Sequence, residues 1–196
     1  MNTASLCTRC PAHADGVFAC MSNARHDQLM RDTTARDHDS GETIFYEGNP
    51  ALAVYCVAAG HIKLTRTGPH GDAHVVATRG VGDLLGCRAV LARGLYTVSA
   101  EPLRPSRVCA IPRESFLEAV RGDAALAFAV LTRMARMTIE SEDNLMTRSM
   151  EHVRQRTARY LLGLVPGTNH SGHFEIYGLL PRHEMAQLIG TTPETL

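Results

Sequence analysis

The hydrophobic and polar positions fall into two textures. From Asp123 to Met150 the chain reads as one helix. No Gly or Pro interrupts it, and Ala, Leu, Met, Arg and Glu dominate, all strong helix formers. Gly122 stops the preceding element, and Asp123 is placed to cap, because its carboxylate accepts from the unpaired amides of a first turn. Leu131, Met134, Thr138, Ser141 and Leu145 recur at alternating steps of three and four, which lines one face as a coiled-coil seam does. Val130 and Met137 flank that seam. Two readings stay open here: a helix packed on its own domain, or one that pairs with a second copy. Thr138 and Ser141 weaken the centre of the seam, so a dimer made by it is expected to be marginal.

Between Gly41 and Ile111 the texture is different. Short β-prone runs (Thr43–Tyr46, Leu52–Val57, His61–Arg66, His74–Ala77, Leu84-Leu85, Leu95–Ala100, Arg107–Ile111) alternate with glycine turns at Gly48, Gly60, Gly68–Gly71, Gly80–Gly82 and Gly86. Strands this short, with punctuation this regular, predict a sandwich or jelly roll. Ser22–Arg36 predicts a short helix, and Pro112–Val120 another with Pro at its first position. Glu151–Leu164 is helical as well, with no mark of where the long helix ends. Val165–Asn169 predicts a loop and Phe174–Tyr177 a strand.

Arg182–Leu196 fits a helix-turn-helix. Ala186 is small where two helices cross, and Gly190 sits where the turn needs a positive φ. Thr192 caps, Pro193 opens a second helix, and Leu188 and Leu196 are spaced to pack inward. The sequence stops at Leu196, inside the first turn of that helix, where too little length remains to pack. A piece of a longer chain is expected.

Composition narrows the class. Hydrophobic residues are 44% of the 196, ordinary for a globular protein and too many for a disordered one. Lys+Arg 20 balances Asp+Glu 20, so a DNA-binding surface would have to be local. Met1–Cys20 lacks the apolar segment of a signal peptide, and no apolar run approaches the ~20 residues of a membrane span. A cytoplasmic chain with no membrane partner is predicted. Six Cys without secretion signals point to metal ligation or reactive thiols rather than disulfides. Cys56, in a strand, reads as a structural thiol, and Cys87, after the Gly86 turn, as a reserve ligand. A thiolate set suits an iron–sulfur cluster or zinc. Of the ten His, His70 and His74 make the close pair in the β-rich part, without the H-x-H and downstream Glu of a metal cupin. No G-x-x-x-x-G-K-[ST] occurs, and no Ser-His-Asp or paired-carboxylate arrangement can be argued from spacing.

Several stretches together carry a family resemblance. They are Gly41-Glu42-Thr43-Ile44-Phe45-Tyr46-Glu47-Gly48, Val54-Tyr55 with Gly60-His61-Ile62-Lys63-Leu64, Gly82-Asp83-Leu84-Leu85-Gly86, Val108-Cys109-Ala110-Ile111-Pro112, and Met185–Leu196 with Pro193-Glu194-Thr195. From Gly41 to Leu196 the chain resembles the cyclic-AMP receptor/fumarate-nitrate-reduction regulator (CRP/FNR) family. The resemblance implies an α+β fold: a β-roll of the cupin-like, cyclic-nucleotide-binding type, a long dimerisation helix and a C-terminal winged helix-turn-helix, here incomplete. The implied division is a Cys-rich arm 1–22, a β-roll sensor 23–121, a dimerisation helix 122–150 and a partial DNA-binding domain 151–196. It implies a DNA-binding transcription regulator rather than an enzyme, a homodimer on a palindromic double-stranded operator, working with RNA polymerase.

The resemblance also bears on the ligand. Cyclic-nucleotide members look to need an Arg-Ser pair after the Gly82–Gly86 turn, since a buried phosphate needs a guanidinium. Leu95–Ala100 holds no Arg, so no cyclic nucleotide is expected. Cys109 sits where the oxygen-sensing FNR branch looks to carry its distal cluster ligand. With the Cys7-Thr8-Arg9-Cys10 pair and Cys20, it implies a [4Fe–4S] cluster, although the Cys10–Cys20 gap is longer than in the best-known member. Ser141 falls where that member looks to carry a charge, so appreciable dimer is expected without cluster. Glu194 is the implied reader of cytosine N4 and Thr192 an implied phosphate contact. The Ser-Arg that follows the Glu in the family is missing here. Two alternatives are a regulator of the same family with haem, nitric oxide or no ligand, and a metal-dependent β-roll enzyme using His70 and His74.

Overall fold

The computed structural model describes residue 10, residues 16–164 and residues 180–196. Among these residues seven antiparallel strands, β1 Thr34–His38, β2 Ala53–Ala59, β3 Ile62–Thr67, β4 Ala73–Arg79, β5 Leu84–Leu85, β6 Ser99–Pro102 and β7 Ser106–Pro112, form two sheets in the orders β1-β7-β2-β5 and β4-β3-β6. Val54, Val57, Ile62, Leu64, Val108 and Ile111 are buried, and they supply the core that the short apolar runs predicted. Gly60 turns β2 into β3 at φ +94°, and a Cβ there would lie 2.0 Å from the Ser106 Oγ. Backbone angle and space both restrict that corner to glycine.

Among the described residues six helices accompany the roll: α1 Asn23–Asp32, α2 Cys87–Leu91, α3 Arg113–Gly122, α4 Ala124–Met150, α5 Val153–Gly163 and α6 Arg182–Ile189. A 3-10 turn, Val17–Cys20, precedes them. The fold is the expected one of roll, long helix and helical C-terminal segment. Asp123 caps α4 as predicted, its Oδ1 accepting from Ala125 N at 3.0 Å and Leu126 N at 3.1 Å.

Local details differ from expectation. The helix expected over Ser22–Arg36 stops at Asp32. Thr33 closes it, donating through Oγ1 to Leu29 O and through its amide to Met30 O. Thr34, Ala35 and Arg36 instead pair with Ala110, Cys109 and Val108 of β7. A distant strand edge overrides a weak local preference. Leu95–Val98 is not strand: Leu95 makes a single bridge to Pro50, and Ala100, already in β6, makes another to Phe45. Pro112 is the N-cap of α3 rather than its first residue. Past Gly190, at φ +78°, the chain makes a turn in which Thr195 N and Leu196 N both donate to Thr192 O, not the start of a helix. In α6, Ala186 and Ile189 are buried, and Leu188 only partly. The expected loop Val165–Asn169 and strand Phe174–Tyr177 lie outside the described residues.

α6 rests against the sheet of β3 and β4. Lys63 Nζ lies 2.5 Å from Glu184 Oε1 and 3.0 Å from Glu101 Oε1, and Val75 N donates to Gln187 Oε1 at 3.1 Å. From the α4–α5 side, Arg148 donates to Leu188 O, and Arg156 to Ile189 O and Gly190 O. The last carbonyls of α6 are thereby met by cationic donors, as the end of a helix favours. Among the described residues no helix is long and apolar enough to cross a membrane.

Candidate functional site

β7 runs between β1 and β2, and Cys109 lies directly opposite Ala35 on one side and Cys56 on the other. Opposed residues of an antiparallel pair share a face, with Cβ atoms about 4.5–5.5 Å apart. Cys56 and Cys109 therefore present two thiols side by side. Cys10, from the arm, reaches the same end of β2: its Sγ donates to Ala58 O at 3.7 Å. Burial pushes the Cys109 thiol above its ordinary pKa, the neighbouring Cys10 adds to that, and the Arg107 charge opposes it. Arg107 is itself committed to Asp37, with Nε and Nη2 each donating at 2.7 Å. The protonated thiols of such a site become ligands only when a metal displaces their protons.

The other predicted ligands are placed differently. Cys20 is exposed, and its Sγ donates to Val17 O at 3.3 Å within its own turn. Cys7 lies outside the described residues. Cys87 is buried, and desolvation lifts its thiol to about 11, so the reserve-ligand reading loses its access. Among the described residues no three His, Cys, Asp or Glu side chains gather closely enough to hold a metal ion. His74, the second member of the loop pair, forms an ion pair with Asp72. Sequence reasoning set Cys56 aside. Its opposition to Cys109 depends on strand register, which spacing along the chain does not reveal.

On α4, Leu131, Thr138, Ser141 and Leu145 are exposed, whereas Met134 leans on the core of its own roll. Val130, expected to flank the seam, is buried in that core. Phe128, Ile139, Met146 and Met150 are further exposed apolar residues of the same helix. They were readable as apolar but fell outside the chosen spacing. At the C-terminal end, Thr192 and Glu194 are exposed neighbours on one turn. The backbone amide of Glu194 itself, then the Thr192 hydroxyl, hold the Glu194 carboxyl below its usual range, and Arg182 contributes.

A third region lies beside Gly86. Tyr96 donates to Ala53 O at 2.7 Å and accepts from Ala53 N at 3.1 Å, and its ring stacks on Phe45 at 4.2 Å. A Cβ on Gly86 would lie 2.7 Å from that ring. An open cavity of about 790 Å³ adjoins it, bordered by Arg66, Arg79 and Arg88 of the roll and by Met134 and Ser141 of α4.

Comparison with known proteins fits this layout. The cyclic nucleotide-binding domain family matches residues 35–123. The chain is 32% identical over 161 residues to the cyclic AMP receptor protein of Thermus thermophilus, covering 82% of this chain and 72% of that one. It is 26% identical over 183 residues to the CRP-like cAMP-activated global transcriptional regulator of Mycobacterium tuberculosis, covering 92% of this chain and 82% of that one. Among solved structures, FixK2 from Bradyrhizobium japonicum superimposes with a TM-score of 0.71 at 24% identity, over 83% of this chain and 80% of that one, a likeness of fold.

Proposed function

We propose that this chain, which belongs to the CRP/FNR family of transcription regulators, responds to oxygen or redox state through a cysteine-ligated [4Fe–4S] cluster. Like the regulators it resembles it is not an enzyme. In this reading it acts in the cytoplasm as a homodimer on a palindromic DNA operator, with RNA polymerase. The arm, residues 1–22, and the roll, 23–121, form the sensor; 122–150 is the dimerisation helix and 151–196 belongs to the DNA-binding domain. Cys7, Cys10, Cys20 and Cys109 supply the four thiolates.

The observation that carries the reading is that Cys10, on the arm, donates to Ala58 O of β2 at 3.7 Å and lies near enough to the Cys109 thiol to help raise its pKa. The donors are sulfurs, which suit iron–sulfur chemistry and zinc better than hard cations. Bound iron would supply an oxygen-labile link between arm and roll. The chain's own residues carry the consequence onward. Phe18 and Met21 anchor the arm in the core, and the turn Val17–Cys20 packs along α4. A change in the hold on Cys10 therefore bears on α4. α4 presents its outward face to a second copy, and through Arg148 it contacts the end of α6. Thr192 and Glu194 would then meet phosphate and cytosine.

Cyclic nucleotide is not the proposed ligand. The Leu95–Ala100 segment holds no Arg, and its Tyr96 is bound to Ala53 and stacked on Phe45. Millimolar cyclic AMP should leave the melting temperature unchanged, whereas a bound ligand would raise it.

The decisive experiment is purification under nitrogen with iron and sulfide assays, followed by exposure to air. A visible absorption band that bleaches in air, with iron and sulfide in matching amounts, is expected. Cys109→Ser and Cys10→Ser should each lose it. A parent protein without iron and sulfide, or one holding air-stable zinc, overturns the reading.

A further inference from the structure

Cys56 of β2 and Cys109 of β7 are registered directly opposite each other, and the register shift of these two strands falls beyond them, between Val57 and Ala59. Both are thiols, neither fully exposed nor fully buried. The backbone of the next residue, Val57, is turned toward the segment that enters β5. Its amide donates to Asp83 O at 3.0 Å, and its carbonyl accepts from Gly82 N at 2.9 Å. Successive residues of a strand turn their backbone groups to opposite sides, so those of Cys56 are turned toward Cys109. Opposed residues of that kind hold their Cα atoms about 5.5 Å apart, and a disulfide spans about 4.4–6.8 Å between Cα atoms. On the far side of Cys109 the opposed residue is Ala35, which brings only a methyl group. We propose that Cys56 and Cys109 are a reversible thiol–disulfide pair, closed by peroxide when Cys109 holds no metal.

The reaction takes two electrons. One thiolate attacks a peroxide oxygen, the O–O bond breaks, and a sulfenic acid and water result. The second thiolate attacks the sulfenic sulfur. The S–S bond forms, the S–O bond breaks, and the hydroxyl leaves as a second water with the remaining thiol proton. Two thiols and one hydrogen peroxide thus give one disulfide and two waters. A small dithiol reverses the step by exchange. Burial keeps the Cys109 thiol protonated, so closure is slow. Opposed Cβ atoms stand about 4.5–5.5 Å apart, against about 3.5–4.5 Å in a disulfide. Closing the bond therefore draws the strands together, and bonds held under such tension are the readily reduced, regulatory kind. The pairing itself stands apart from the cluster reading. Its consequence rests on that reading: a closed bond removes Cys109 from the ligand set until a reductant returns it.

The test uses the 196-residue chain, stripped of metal by chelation, fully reduced, and then treated with hydrogen peroxide. Remaining thiols are blocked with N-ethylmaleimide, and the protein is digested without reduction and mapped by mass. A peptide linking Cys56 to Cys109 is expected, from protein that still runs as a monomer on a non-reducing gel. Dithiothreitol should restore both thiols, and Cys56→Ser should give no such peptide. Cys109 linked to Cys10 or Cys20 in the parent, a disulfide-linked dimer, or no linked peptide at all overturns the inference. Oxidised and reduced parent, each then supplied anaerobically with ferrous iron and sulfide, need no substitution and so carry no doubt about folding. The oxidised form should take up several-fold less iron than the reduced. Iron uptake by the reduced chain without the linked peptide removes the disulfide and leaves the cluster reading intact. The linked peptide in a chain that never takes up iron upholds the disulfide and removes the cluster.

Discussion

The two halves of α4 are alike in composition and opposite in environment. Over Ala124–Met137 the helix is held by its own roll. Leu126 is 0% and Val130 2% exposed, Asp123 caps the first turn, and Arg133 pairs with Asp83 ahead of β5. Over Thr138–Met150 nothing among the described residues buries the apolar side chains: Ile139 is 57%, Leu145 67% and Met150 74% exposed. An isolated helix of this length is marginal in water, and tertiary packing supplies most helical stability. The first half takes that packing from the roll and the second must take it from elsewhere. One continuous periodic pattern in the sequence therefore encodes two different jobs. The outward apolar residues are the surface we assign to a second copy of the chain.

The largest effect on the roll should come from Leu126→Ala. Truncating a fully buried Leu removes its transfer energy and leaves a cavity, together about 2–5 kcal/mol. Urea unfolding followed by circular dichroism should show the unfolding free energy fall by that amount, through a lower midpoint at unchanged slope. An effect below about 1 kcal/mol would mean that the first half of α4 is not anchored where the structure puts it.

Leu145→Glu asks the same of the second half. An exposed position away from caps and cores changes stability by about 0.5 kcal/mol or less, so the monomer should melt almost as the parent does. The dimer should suffer instead, because a charge would be buried at the seam without a partner. Sedimentation should show the variant as a monomer at concentrations where the parent is dimeric. A variant that remains dimeric would move the contact off this face.

How much of this was visible beforehand depended on whether the information was local. The cap at Asp123 and the turn at Gly190 follow from residues adjacent in sequence, and they were legible. The roll was legible as an architecture, because short apolar runs and glycines punctuate it. Strand pairing was not. β1 exists because Thr34–His38 find β7, more than sixty residues away, and nothing in Thr-Ala-Arg-Asp-His itself asks to be a strand. Pairing within the candidate site was hidden in the same way. Cys109 and the Cys7/Cys10 pair stood out by resemblance and spacing, whereas Cys56 acquires meaning only once its register against Cys109 is known. Cys20 drew attention by its place in the sequence, yet it belongs to a turn that holds its thiol outward. On α4 the three-and-four spacing chose Met134, which the roll partly claims, over Phe128 and Ile139, which it leaves bare.

The smallest effect concerns the junction that feeds the anchored half. Asp123 Oδ1 accepts from the amides of Leu126 and Ala125, and Arg25 Nη1 lies 3.2 Å from its Oδ2. The Leu126 amide first, then Arg25 and the Ala125 amide, hold the carboxyl below its ordinary 3.8. A carboxyl whose folded pKa is depressed stabilises the fold above its unfolded pKa, and that stability is lost as pH falls through the folded value. The parent should therefore lose melting temperature progressively below pH 3.8 on account of this group. Asp123→Asn keeps an oxygen that caps the same amides but cannot titrate and cannot pair with the Arg25 charge. Near neutral pH it should melt slightly below the parent, and the gap should narrow as the solution is acidified. Leu145→Glu, at the other half, should leave the parent's acid profile in place in the monomer. If Asp123→Asn and the parent stay a constant distance apart across that range, the cap acts through its hydrogen bonds alone and the Arg25 pair contributes nothing to the anchoring of α4.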